Sequence, residues 1–226
     1  MAITARYVMD TAKTQLLDET GVHWPDVELL RYLNDGKREI AKYLPHACTE
    51  TDVLVLPAGT RQSLPADVMV LVDVVRNMGT TGTDPGRAIT PIDKTILDVV
   101  LPEWHNIIPK AEVLHYCYDR RNPREFYVFP PQPPTGTGQV EVVFGVLPDD
   151  STVSSLDGTA TGQPNSDIFI PDEYANALLT FILHRAHAKE TEAGSLAKSA
   201  AYLQGFIQAM GAKETGKVAT EPQKGP

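Results

Sequence analysis

Apolar residues recur along the chain with two different periods. Ala5, Val8, Met9, Ala12 and Leu16 follow one another at helical spacing, which predicts a helix over residues 4–18 with one apolar stripe. Gly21 breaks it, and Trp24-Pro25-Asp26 opens a second helix over residues 25–44. Proline suits the first helical position, and Asp26 and Glu28 suit the positive end of the helix dipole. The second stripe is Leu29, Leu33, Gly36, Ile40 and Leu44, and Pro45 ends it. A glycine in mid-helix costs about 1 kcal/mol relative to alanine. Gly36 on the apolar face therefore predicts close approach by another helix. The helical period returns late in the chain. Tyr174, Ala177, Leu178, Phe181 and Ile182 mark a helix over residues 171–190. After a turn at Gly194-Ser195, Leu196, Ala200, Leu203, Ile207 and Met210 mark another over residues 195–210, closed by Gly211.

Between these pairs the pattern is that of strands. Val53 to Leu56 is a short strand ended by Pro57-Ala58-Gly59, and Thr60 to Leu64 follows at hairpin distance. Residues 68–78 are rich in Val, Leu and Met, as in a long, largely buried strand. Residues 79–86 are a turn-rich loop. Residues 91–101 predict a short helix with Ile92, Ile96, Val99 and Val100 as its apolar side. Residues 113–118, 126–129 and 140–146 read as a three-stranded antiparallel meander.

Four helices with one apolar face each are most simply buried against one another. The expected fold class is α+β: a four-helix bundle from residues 1–50 and 168–211, with an inserted, mostly antiparallel β-sheet module at 51–148. Leu33, Ile40, Leu178, Phe181, Leu203 and Ile207 are the expected core. Residues 149–167, rich in Ser, Thr, Gly, Asp and Pro, predict a flexible linker, and residues 212–226 a disordered polar arm.

Composition narrows the function. The 226 residues are 42% hydrophobic and 22% charged, ordinary globular usage that leaves no place for a disordered chain or a disulfide scaffold. No run of about 18 apolar residues is present, so no transmembrane helix is expected. The start MAITARYVMD lacks the basic and apolar regions of a secretory signal. Twenty basic residues against 29 acidic ones give a net charge of −9, which counts against a DNA-binding regulator with a basic face. Cys48 and Cys117 lie far apart and read as reduced packing thiols.

Catalytic motifs are absent: no phosphate loop, dinucleotide fingerprint, nucleophile elbow or zinc-protease motif occurs. The nearest candidate is His184-x-x-His187-x-x-Glu190. Its spacing puts both imidazoles on one helix face, as a metal-dependent hydrolase would need. Arg185 and Lys189 beside them repel a cation, so the expectation is no enzyme, no metal and no cofactor. Asp149, Asp150, Asp157 and Asp167 sit in the linker and read as solubilising charge. Arg120, Arg121 and Arg124 form a basic cluster suited to a subunit or tail-side interface.

The order of several segments carries a resemblance. GVHWPDVELLRYLNDGKREI at 21–40 resembles the second helix of tailed-phage head-to-tail adaptor proteins, with Pro25 standing where Thr or Ser is more usual. LPAD at 64–67, VRNMG at 75–79, PGRAI at 85–89 and DRRNPREFYVFPP at 119–131 resemble the same family's inserted sheet. DEYANAL at 172–178 through the last helix resembles its closing helices. The resemblance spans nearly all of residues 4–211. It implies a structural virion protein at the head–tail junction, assembled in the host cytoplasm as a ring, usually twelvefold, below the portal. Such a ring extends the DNA channel without sequence-specific binding and gives the tail a platform. The implied partners are the portal, a nozzle or tail-completion protein and further copies of the chain, with no membrane. A C-terminal arm that grips the portal would here contain Lys213, Glu214, Lys217, Glu221 and Lys224. Another neck or tail ring component is the alternative, and the hydrolase using His184 and His187 the last.

Overall fold

Local chemistry sets the helix boundaries in the computed structural model, which describes residues 3–152, 168–190 and 193–220, the side chains of 193–194 and 212–220 excepted. Helix α1 (Ala5–Leu16) starts at Thr4, whose hydroxyl accepts the N–H of Tyr7, and stops at Leu17 in the left-handed region. Asp18 then organises the turn: its carboxylate accepts the N–H groups of Val22, His23 and Trp24. Helix α2 (Asp26–Tyr43) follows. Pro25 precedes its first residue and offers no side-chain cap, while Asp26 and Glu28 occupy the first turn, where the dipole favours them. Asp26 also binds Arg6 and Lys13 of α1.

The chain divides into two compact units, Met1–Ala47 with Pro148–Pro226, and Cys48–Leu147. In the first, α4 (Ala175–Lys189) is central. It packs against α1, α2 and α5 (Ala193–Thr220). Val8, Met9 and Ala12 of α1, Leu29, Leu33 and Ile40 of α2, and Leu178 and Ile182 of α4 are fully or almost fully buried. Gly36 does what its place in the stripe predicts. A Cβ there would lie 3.0 Å from the Phe181 ring and 3.2 Å from Leu178, so any side chain at this position would have to push those two back by a few tenths of an ångström.

Helix α5 differs from expectation twice. It does not end at Gly211 but continues to Thr220, so residues 212–220 of the expected disordered arm are helical. Ala, Lys and Glu are strong helix formers, and Gly211 and Gly216, at about 1 kcal/mol each, cost too little to stop a helix already propagating. Of the stripe read from the sequence, only Met210 lies on its buried face. Ser199, Phe206 and Met210 are buried, whereas Leu203 is half-buried and Ile207 is exposed, so neither of the last two is core. Residues 153–167 of the expected linker and 221–226 of the arm lie outside the described residues.

The second unit holds strands β1 (Thr49–Val55), β2 (Gly59–Ser63), β3 (Val68–Asn77), β4 (Thr90–Pro91), β5 (His115–Tyr118), β6 (Glu125–Gln132) and β7 (Gln139–Val146), with helix α3 (Lys94–Val100). They form an antiparallel sheet in the order β1-β7-β3 and a second sheet in the order β2-β6-β5-β4, antiparallel except where β4 runs parallel to β5. Leu71, Val74, Phe126, Val128, Val142 and Phe144 belong to the apolar core these sheets share. The expected meander is broken, because β6 pairs with β5 and β7 lies in the other sheet. The Pro- and Gly-rich segment 133–138 carries the chain across. β7, whose Val140, Val142, Phe144 and Val146 all point inward, then sits between two partners that satisfy its backbone on both sides. For the same reason β1 and β2 are not a hairpin: the turn at Pro57-Ala58-Gly59 moves the chain from one sheet to the other.

Helix α3 covers the far side of the β5–β6 pair through Leu97, beside the buried Trp104 and Cys117. Its expected apolar side is mostly outside. Ile92 packs on this small core, but Ile96, Val99 and Val100 are exposed.

Candidate assembly surfaces

The three arginines read as an interface cluster have three different fates. Arg124 is held inside its own unit, its Nη1 donating to the carbonyls of Pro65, Ala66 and Val68 at 2.8–3.2 Å, where it closes the turn that starts β3. Arg121 is engaged by Asp119 through Nε, Nη2 and its backbone N–H, and that pairing holds the Asp119 carboxyl below the usual carboxylate range. Arg120 is exposed and bonds to no described residue. It opens on a groove of about 610 Å³ between the β5–β6 turn and α3, which Asp93, Lys94, Asp98 and Tyr127 also line. The groove holds a thiol, Cys117, but burial pushes its pKa up to about 11, so it is a packing group and not a nucleophile.

The histidines anchor α5. His184 Nδ1 lies 2.9 Å from Ser199 Oγ, and Ser199 in turn donates to the His184 carbonyl. His187 stacks on Tyr202 with ring planes 1° apart, and Phe181 meets Phe206 at 5.3 Å. These contacts explain why α5 turns Ser199 and Phe206 inward: a part-buried polar pair and two ring contacts fix its rotation. They also show where His184 and His187, the pair of the hydrolase alternative, lie. The two rings face α5, and no group of three or more His, Cys, Asp or Glu among the described residues is placed to hold a metal ion. Glu190, the third member of that motif, lies 3.7 Å from His23 and 3.8 Å from His187 and bonds Ser195. It joins the α1–α2 turn to the α4–α5 turn.

A polar clasp that the sequence reading missed holds the first residues of the expected linker. The Asn34 carboxamide bonds both backbone groups of Ser151 at 3.0 Å. Lys37, only 1% exposed, donates to the Asp149 carbonyl and to Ser151 Oγ, and Arg38 grips the Asp150 carboxylate with one nitrogen at 2.6 and 2.7 Å. Asp149 and Asp150 are thus tied to α2, not to a free linker. Asn34 and Lys37 stand three apart in α2, and that spacing of two polar residues beside an apolar stripe is the only local sign of the clasp. Asp157 and Asp167 lie outside the described residues.

The candidate portal residues Lys213, Glu214 and Lys217 are on the helical extension of α5, and Glu221 and Lys224 lie outside the described residues. No helix among the described residues is long and apolar enough to cross a membrane.

No curated protein matches the chain. A family model described as SU10 adaptor protein matches residues 3–225. A match of that extent takes in both units, the clasp and the helical extension together, and the chain belongs to the SU10 adaptor protein family, a family of phage adaptors.

Proposed function

We propose that the chain is a head-to-tail adaptor that assembles as a ring, twelvefold in symmetry, between the portal and the tail. The match of residues 3–225 to an adaptor family carries this reading. In it the helical parts, 1–50 and 168–211, form a four-helix bundle as the frame of each subunit, and residues 51–148 are a module inserted into that frame. The ring extends the DNA channel, and a net charge of −9 suits a wall that DNA must pass without sticking. The end of the chain, from Ala212, reaches the portal through Lys213, Glu214, Lys217, Glu221 and Lys224. Arg120, which bonds to none of the described residues and lines the β-module groove, faces a neighbouring subunit or the tail-side protein. The role is structural, and the ring is built in the host cytoplasm before it enters the virion.

The experiment is to mix the purified chain with portal rings and to follow co-sedimentation and negative-stain images. A ring of added density on one end of the portal is expected. A chain that stays at the top of the gradient, with bare portals, contradicts the reading.

A further inference from the structure

Two helices leave an apolar face without a partner among the described residues. On α3, Leu97 alone faces the core, while Ile96, Val99 and Val100 are 53%, 75% and 76% exposed and form one set at i, i+3 and i+4. On α5, Leu196, Ala200, Leu203 and Ile207 run along the face adjoining the buried one, and Leu196 and Ile207 are 52% and 47% exposed. Single exposed apolar residues are ordinary, but sets at helix-contact spacing mark surfaces that bind. The steps of four, three and four on α5 are those of a seam into which another helix packs.

Charge identifies the occupant. At a net −9, two copies of this chain repel each other on average. Residues 93–103 share that sign: Asp93, Asp98 and Glu103 against Lys94 make −2, and the Lys94 ammonium is already bound to Asp98. Residues 195–207, which carry the α5 stripe, have the opposite sign: Lys198 is the one charged residue among them and makes +1. The acidic chain thus carries one apolar stripe on a negative element and one on a positive element. The α3 face is the shorter, about 10 Å for its seven residues, and fits within the about 16 Å from Leu196 to Ile207.

We propose that the α3 face of one copy docks on the outer stripe of α5 of a second copy, a contact that rests on the ring reading above and gives it an interface. The two surfaces differ, so each copy offers one to each neighbour, and such head-to-tail contacts close into rings. Glu103 and Lys198 lie at the rim and set orientation, while Val99, Val100, Leu196 and Ile207 supply the apolar area.

The test uses the full chain with portal rings. One population carries Val99→Cys and a mass-tagged second carries Ile207→Cys; both positions are exposed, and the native Cys48 and Cys117 are buried. Mixed under mild oxidation, they should form disulfides between the populations in large excess over disulfides within either. Separately, Glu103→Lys and Lys198→Glu should each raise the concentration at half-assembly about fivefold to tenfold at low salt, with the double reversal returning most of the loss. Val99→Asp should raise it about a hundredfold while leaving the melting temperature of the subunit unchanged. Rings that form with no excess of mixed disulfide and with no rescue by the double reversal overturn this contact and leave the ring reading standing. Wild-type chain that never assembles on portals overturns both.

Discussion

Gly36 and Asp18 show how single residues hold this fold. The space at Gly36 is taken by Phe181 and Leu178, so Gly36→Val should destabilise the chain by about 1–3 kcal/mol, as overpacking does, although valine is the better helix former. Chemical denaturation measures it, and a gain in stability would mean that α4 does not press on α2 there. Asp18 acts through charge. The three N–H groups it accepts, that of Trp24 above all, hold its pKa below the ordinary 3.8. A carboxyl whose pKa is lower folded than unfolded stabilises fully above the unfolded value and loses that contribution as the pH falls from 3.8 through the folded value. Melting curves of Asp18→Asn should therefore depend less on pH below 3.8 than those of the wild type, and parallel acid limbs would contradict this. Gly36 was legible because a glycine within an apolar stripe has one simple explanation. Asp18 was not, since the amides it binds lie up to six residues ahead and only the folded turn brings them to one carboxylate.

At the scale of elements, periodicity located the helices but did not choose among faces. α4 is buried on several sides because it packs against three helices, while α1 and α2 each have one apolar side, and burial follows it. α5 has two adjoining ones, and partners on α4 decide between them: Ser199 meets His184, Tyr202 meets His187 and Phe206 meets Phe181. α3 shows the same ambiguity in a shorter helix, where Leu97 packs inward and the valines do not. The pair Leu33→Ala and Ile207→Ala separates the two cases. Leu33 is fully buried, and its truncation should cost about 2–5 kcal/mol, whereas Ile207 is half exposed and its truncation should stay within about 0.5 kcal/mol. Equal losses in equilibrium unfolding would contradict the assigned rotation of α5. Strand positions were likewise legible from alternation, but their pairing was not. Whether β7 follows β6 or crosses to β1 and β3 depends on contacts far apart in sequence, about which a local pattern carries no information.

For the whole molecule, membership in an adaptor family turns the separate features into parts of one assembly. The histidines that alone suggested a metal site also pack against α5, and of the three arginines Arg120 is the one that bonds to no residue among those described. The helical extension past Gly211 is the part least explained by the fold of the subunit. Deletion after Gly211 should leave the melting temperature unchanged and abolish association with portal rings. A truncated chain that binds portals with wild-type occupancy would move that contact to the helices of the frame.

The most direct measurement is electron cryo-microscopy of the head–tail junction in virions that carry this chain. Expected is a closed ring of copies directly below the portal, each with its helical unit and its two-sheet unit recognisable and with α3 of one copy against α5 of the next. Density for the chain elsewhere in the particle, or copies at the junction that form no ring, would contradict the reading of this protein as a head-to-tail adaptor.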